Sequence, residues 1–127
     1  MAEPSPAAVE VLAITSGTYL RMRREAQGLT IEQVAQICMS DGVGMAAAVA
    51  AIEDAEADRN PFEGADLIRL LQAFSFAPSI YWQILEGLPF PPLCRVCACS
   101  WDDACVGRCA WTDPSHSLCT NCVGSPL

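Results

Sequence analysis

The chain has 127 residues, 52% of them apolar, and a formal net charge of −8 from 15 acidic and 7 basic residues. That length holds one compact core and a small appendage, and without a run of 18 apolar residues no membrane span is expected. Every cation is an arginine, and an acidic chain opposes any function built on broad attraction to phosphate.

Residues 1–17 read as an Ala/Pro-rich lead-in, with no basic segment that would mark a secretory signal. Without an export signal the expected compartment is the reducing cytoplasm, where eight cysteines point to metal binding rather than disulfides. Residues 18–87 read as an all-α, five-helix domain. A first helix is expected from Thr18 to Gln27, stopped by Gly28, a good left-handed cap. Thr30-Ile31-Glu32-Gln33 is a capping box that opens a second helix, with Ile31, Val34, Ala35 and Cys38 along one side. A Gly-containing break at residues 40–44 leads to a third helix from Met45 to about Ala57. Asn60-Pro61-Phe62-Glu63 carries the signals of a fourth start: Asn as cap, Pro at the first position, Glu three residues on. That helix would bury Leu67, Leu70, Leu71 and Phe74. A fifth, after Pro78, would bury Ile80, Tyr81, Ile84 and Leu85 and end at Gly87. Residues 88–93 form a stiff proline-rich connection, and residues 94–127 a cysteine-rich module.

The cysteines of that module run Cys94-x2-Cys97-x-Cys99-x5-Cys105-x3-Cys109-x9-Cys119-x2-Cys122. A CxxC turn aims two sulfurs at one point. Two such turns, Cys94/Cys97 and Cys119/Cys122, supply the four thiolates of a structural zinc site of the ribbon or knuckle type. The inner Cys99, Cys105 and Cys109 allow four readings. With His116 they complete a second zinc; four of the cysteines hold an iron–sulfur cluster; some of the inner three join the outer pairs in a mixed ligand set; or they pack as plain thiols. A stretch of 34 residues cannot bury enough apolar surface to fold unaided, so a bound ion would supply on the order of 10 kcal/mol. Trp101 and Trp111 are expected to cover the sulfurs. Cys38 continues the apolar side of its helix and is expected inside the helical domain.

The stretches Cys94-Arg95-Val96-Cys97-Ala98-Cys99, Ala104-Cys105-Val106-Gly107-Arg108-Cys109-Ala110-Trp111 and Leu118-Cys119-Thr120-Asn121-Cys122 resemble a cysteine-rich module of bacterial and phage proteins. Here Ala98 stands where glycine is usual, and the loop from Trp111 to Cys119 is longer and contains His116. The segment from Leu20 to Ala35, with Arg21-Met22-Arg23-Arg24, Gly28 and the Thr30 box, resembles the first two helices of the Cro/C1-type (XRE-like) helix-turn-helix family. Ile52-Glu53 and Asn60-Pro61 resemble that family's later signals. The resemblance implies a domain that reads the DNA major groove with its third helix, with Arg21, Arg23 and Arg24 meeting phosphates. Against this, Met45-Ala46-Ala47-Ala48-Val49-Ala50-Ala51-Ile52 offers none of the Arg, Lys, Asn or Gln groups that read base edges, and the turn before it is lengthened.

Two functions follow as expectations. One is a DNA-binding transcriptional regulator of phage or mobile-element type with a structural zinc module, acting as a homodimer. The other is an acidic adaptor or inhibitor whose alanine-rich third helix packs on a protein partner. An iron–sulfur redox sensor is a further alternative. An enzyme is not expected: the single histidine offers no triad, residues 94–122 hold no glutamate for a zinc hydrolytic site, and Gly42-Val43-Gly44 is too short for a phosphate loop.

Overall fold

The first helix, α1 (Ser16–Ala26), ends as the glycine predicts. Gly28 takes φ +75°, its N–H donates to the Glu25 carbonyl, and the Leu29 N–H reaches back to that of Arg24, the Schellman arrangement. Two residues later the capping box forms in full. Thr30 Oγ1 accepts from the Gln33 N–H at 3.1 Å, while Gln33 Oε1 accepts from the Thr30 N–H at 2.8 Å, opening α2 (Ile31–Cys38). The structure is a computed structural model that describes residues 14–38, 44–100, 103, 110–112, 118–120 and 122. Residues 1–13 and the lengthened turn at 39–43 lie outside the described set.

Helix α1 starts two residues earlier than expected. Thr15 caps it by accepting from the Thr18 N–H, and the Asp58 carboxylate accepts from the Gly17 N–H at 2.9 Å and from the Thr15 hydroxyl at 2.6 Å. Gly17, inside the helix, serves a close approach. A Cβ there would lie 2.4 Å from the Ala55 carbonyl oxygen and 2.6 Å from that of Glu56. These belong to α3 (Met45–Glu56), whose end is also made by Asp58. Asp58 sits in the left-handed region at φ 62°, and the Arg59 N–H donates to the Asp54 carbonyl. One aspartate therefore closes α3 and caps α1, joining their ends.

The fourth element departs from expectation. Helix α4 spans Gly64–Arg69 and continues as a 3-10 turn, Leu70–Gln72, so the Asn60-Pro61 signal does not start a helix. The Tyr81 hydroxyl donates to the Phe62 carbonyl at 2.9 Å and Phe62 turns inward; Glu63 remains extended. Tertiary anchoring of Phe62 overrides the local start signal. The 3-10 turn also changes the buried stripe. Leu67, Leu70 and Phe74 are buried, whereas Leu71 is 40% exposed, because three residues per turn rotate it off the face that a continuous α-helix would give. Helix α5 (Pro78–Leu85) begins on its proline and stops at Gly87, φ +74°. Ile80 and Tyr81 are buried; Ile84 and Leu85 are half-buried.

Helix α2 packs on α3, and α1 packs on α3 and α5. Their shared core holds Tyr19, Leu20, Val34, Ala35, Ile52, Leu67, Ile80 and Tyr81, with Cys38 at 5% exposure among them. Two residues from beyond α5, Leu93 and Ala98, belong to the same core. Among the described residues no helix is long and apolar enough to cross a membrane, and extended pairing is limited to one antiparallel bridge, Trp111 with Cys119.

Candidate metal centre

The two CxxC turns are shaped by backbone hydrogen bonds before any ion is considered. In the first, the Ala98 N–H donates to the Cys94 carbonyl at 2.8 Å, and the Cys94 N–H donates to the Cys99 carbonyl at 3.1 Å. The Val96 N–H points at the Cys94 sulfur, 3.4 Å away. Closing so tight a turn puts Ala98 at φ 61°, the left-handed region usually left to glycine. The second pair sits on the Trp111–Cys119 bridge. There the Thr112 N–H donates to the Leu118 carbonyl and the Thr120 N–H to the Ala110 carbonyl, and the Cys122 N–H turns back to the Cys119 carbonyl. The side chains of Thr112 and Thr120 add a bond each, to the Leu118 carbonyl and from the Ala110 N–H.

These turns bring Cys94, Cys97, Cys119 and Cys122 together, all buried, with their sulfurs within 4.8 Å of one another. Cys97 Sγ and Cys119 Sγ are 3.8 Å apart. A tetrahedron of sulfurs at about 2.3 Å from one ion has edges of about 3.8 Å, so the set fits a single tetrahedral metal. Val96, Trp111 and Leu118 pack against the cluster, as expected for Trp111.

The electrostatics agree with a site built for a cation. Hydrogen bonds from the Cys97 and Cys99 thiols hold Cys94 below the usual thiol range, while the same bond from the other side pushes Cys97 up. Burial pushes Cys122 up to about 12. Four thiolates at this spacing need a positive ion among them.

The remaining expected ligands divide. Cys99 is buried at 1% exposure against the quartet, but the group of four mutually close sulfurs does not include it. Cys105, Cys109, His116 and Trp101 lie outside the described residues.

The arginines require a correction. Arg21 is exposed, but Arg23 and Arg24 are 2% and 7% exposed and do not face solvent as phosphate ligands would. Arg24 makes a two-pronged pair with Glu56, Nε to Oε2 at 2.7 Å and Nη2 to Oε1 at 2.9 Å, and donates to the Leu29 carbonyl at 2.8 Å. Arg23 donates from Nη1 to the Cys97 carbonyl at 2.9 Å and from Nε to Asp103 at 3.0 Å and the Ser75 carbonyl at 3.3 Å. Burial works against the charge of Arg23, but Asp103 and the neighbouring cysteines outweigh it and its pKa is raised; it stays a cation. The Ser75 hydroxyl donates to the other Asp103 oxygen.

Sequence reasoning missed this Arg23–Asp103–Ser75 set. A signal for half of it was available. Tyr19, Leu20, Arg23 and Arg24 recur at three- and four-residue spacing, which places both arginines on the buried stripe of α1. Asp103 carried no local signal, because it reaches Arg23 across 80 positions.

Comparison with known proteins finds no matching family model, no matching curated protein and no matching solved structure.

Proposed function

We propose that this chain is a zinc-stapled, helix-turn-helix-like adaptor that binds a protein partner and catalyses no reaction. The observation that carries the choice of partner is the burial of Arg23 and Arg24 in ion pairs. Two of the three arginines needed for phosphate are committed inside the fold, and the surface they leave is strongly acidic. On α3 the exposed residues include Met45, Ala46, Ala47 and Ala50, apolar and mostly small groups that let another helix approach closely and that form no hydrogen bond to a base edge. An acidic surround of this kind suits a basic protein partner.

The metal reading rests on the four converging sulfurs. Zinc fits them as a closed, all-thiolate set whose role is structural, because four protein ligands leave no position for a substrate. An iron–sulfur cluster is supported less well, since several irons and bridging sulfides need more room between their thiolates than one ion does.

The deciding experiment is a gel shift at low salt, where phosphate attraction is greatest, using random duplex and DNA from upstream of the chain's own coding sequence. The expected outcome is no shift, together with a stoichiometric protein captured by the tagged chain and lost with Ala50→Arg. A shift that weakens as salt is added would reverse the proposal in favour of a DNA-binding regulator. A partner that is a second copy would show as a dimer in sedimentation, and Ala50→Arg would return it to monomer.

A further inference from the structure

The cysteine cluster and the helices are joined by a buried polar network, not merely adjacent. The Cys97 carbonyl, which belongs to a ligand residue, accepts from Arg23 in the middle of α1. Asp103, between the two CxxC pairs in sequence, holds Arg23 with one carboxylate oxygen and the Ser75 hydroxyl with the other. Ser75 stands in the segment between the 3-10 turn and α5, and its backbone is held to α1 by Gln27, whose amide donates to the Ser75 carbonyl and accepts from the Ser75 N–H, both at 2.8 Å. The Ala98 methyl, 0% exposed, packs in the helical core although its backbone is left-handed. The first CxxC turn thus gives the helical domain both an apolar and a polar anchor, the Ala98 methyl in its core and the Cys97 carbonyl on Arg23 of α1.

We infer that Arg23 is a positioning residue for the metal centre, and that metal occupancy and the helical domain form one folding unit. This rests on the metal reading of the four cysteines. With the ion present the turn at residues 94–99 is rigid, and the Cys97 carbonyl and Asp103 are held where the Arg23 guanidinium needs them. With the ion gone those acceptors are free to move away, and a buried guanidinium is left with the Ser75 carbonyl at 3.3 Å in place of a carboxylate and two carbonyls, which is strongly unfavourable. The helices then loosen. By linkage the effect runs both ways: disturbing Arg23 weakens the metal site although Arg23 touches no metal. The consequence for function is that the α3 surface is presented only by metal-loaded protein.

The test uses the full chain, loaded with zinc or with cobalt as a spectroscopic substitute, under reducing conditions. Helix content is followed by far-ultraviolet circular dichroism and the metal by cobalt–thiolate absorption during denaturant unfolding. In the unaltered protein the two signals disappear together, and chelation moves the helix transition to lower denaturant. Arg23→Lys keeps the charge but loses the planar fork; it lowers zinc affinity about 10- to 100-fold in chelator competition and separates the two transitions. Asp103→Asn, which keeps the shape, does the same to a smaller degree and gives the answer should the first variant not fold. Arg59→Lys, at an exposed pair with Asp54, leaves affinity unchanged. If the helix transition is the same with and without metal, or Arg23→Lys and Asp103→Asn bind zinc as tightly as the parent, the coupling is wrong. Failure to bind any metal, read by elemental analysis, would instead overturn the metal reading itself.

Discussion

Replacing Arg24 with methionine separates a structural arginine from a phosphate-binding one. The side chains of Arg24 and Glu56 are 9% and 8% exposed and meet through two short bonds. Removing one member of a buried pair costs about 3–5 kcal/mol, since the other charge stays behind. The pair lies at the edge of the core and Glu25 also approaches Arg24, so the lower end, about 3 kcal/mol, is expected. Against a domain stability of about 5–15 kcal/mol this is a large loss. It would move the urea midpoint down by about 1.5–2 M for a slope of about 1.5–2 kcal/mol per molar. Arg24→Met with Glu56→Leu should recover most of it, because an apolar pair replaces a buried ion pair at little cost. The residual deficit is about 1 kcal/mol for the Leu29 carbonyl, which loses its donor at 2.8 Å. The assay is urea unfolding of metal-saturated protein followed by circular dichroism. A loss below about 0.5 kcal/mol for Arg24→Met, the size of an ordinary surface substitution, would refute the reasoning and return Arg24 to the solvent.

Three further outcomes are expected. Gly17→Ala should lower thermal stability by up to about 2 kcal/mol. The new Cβ meets backbone carbonyls at 2.4 and 2.6 Å that cannot rotate away, and this crowding of about 1–3 kcal/mol exceeds the roughly 1 kcal/mol that alanine gains in a helix; an unchanged or higher melting temperature would contradict it. Tyr19 is fully buried, burial pushes its pKa up to about 12, and its hydroxyl accepts from the Ala77 N–H. Its folded pKa lies above the unfolded value near 10, so the stability it contributes, on the order of 2–3 kcal/mol, is complete below about pH 10 and is lost as pH rises toward about 12. Tyrosinate absorbance should therefore rise together with loss of helix, not ahead of it. Cys119→Ser should reduce bound zinc and the cobalt–thiolate absorption sharply, whereas Cys38→Ser, buried in the helical core, should leave metal content unchanged.

Much of the helical domain was legible because its signals are local. Gly28 and Gly87 stop helices through conformations that glycine adopts without strain, and Thr30 with Gln33 satisfies orphan backbone groups within four residues. Both kinds of signal act over one turn and survive any tertiary context that leaves them exposed. The Asn60-Pro61 start failed because its neighbour Phe62 is held from outside by the core and by Tyr81. Gly17 gave no signal of its contact with α3: the absence of a side chain looks the same in sequence whether it breaks a helix or admits another backbone.

The amino-acid order alone determined which cysteines could converge, since a CxxC turn aims two sulfurs whatever surrounds it. It also determined the acidity that opposes nucleic acid. Only the tertiary structure decided which carboxylates the two buried arginines of α1 meet, that Asp58 serves two helices, and that Asp103 and Cys97 reach back to Arg23. Those partners are 74 to 80 positions away from Arg23. Periodicity places a side chain on a face, but the charge that can meet it there is chosen by how the rest of the chain packs.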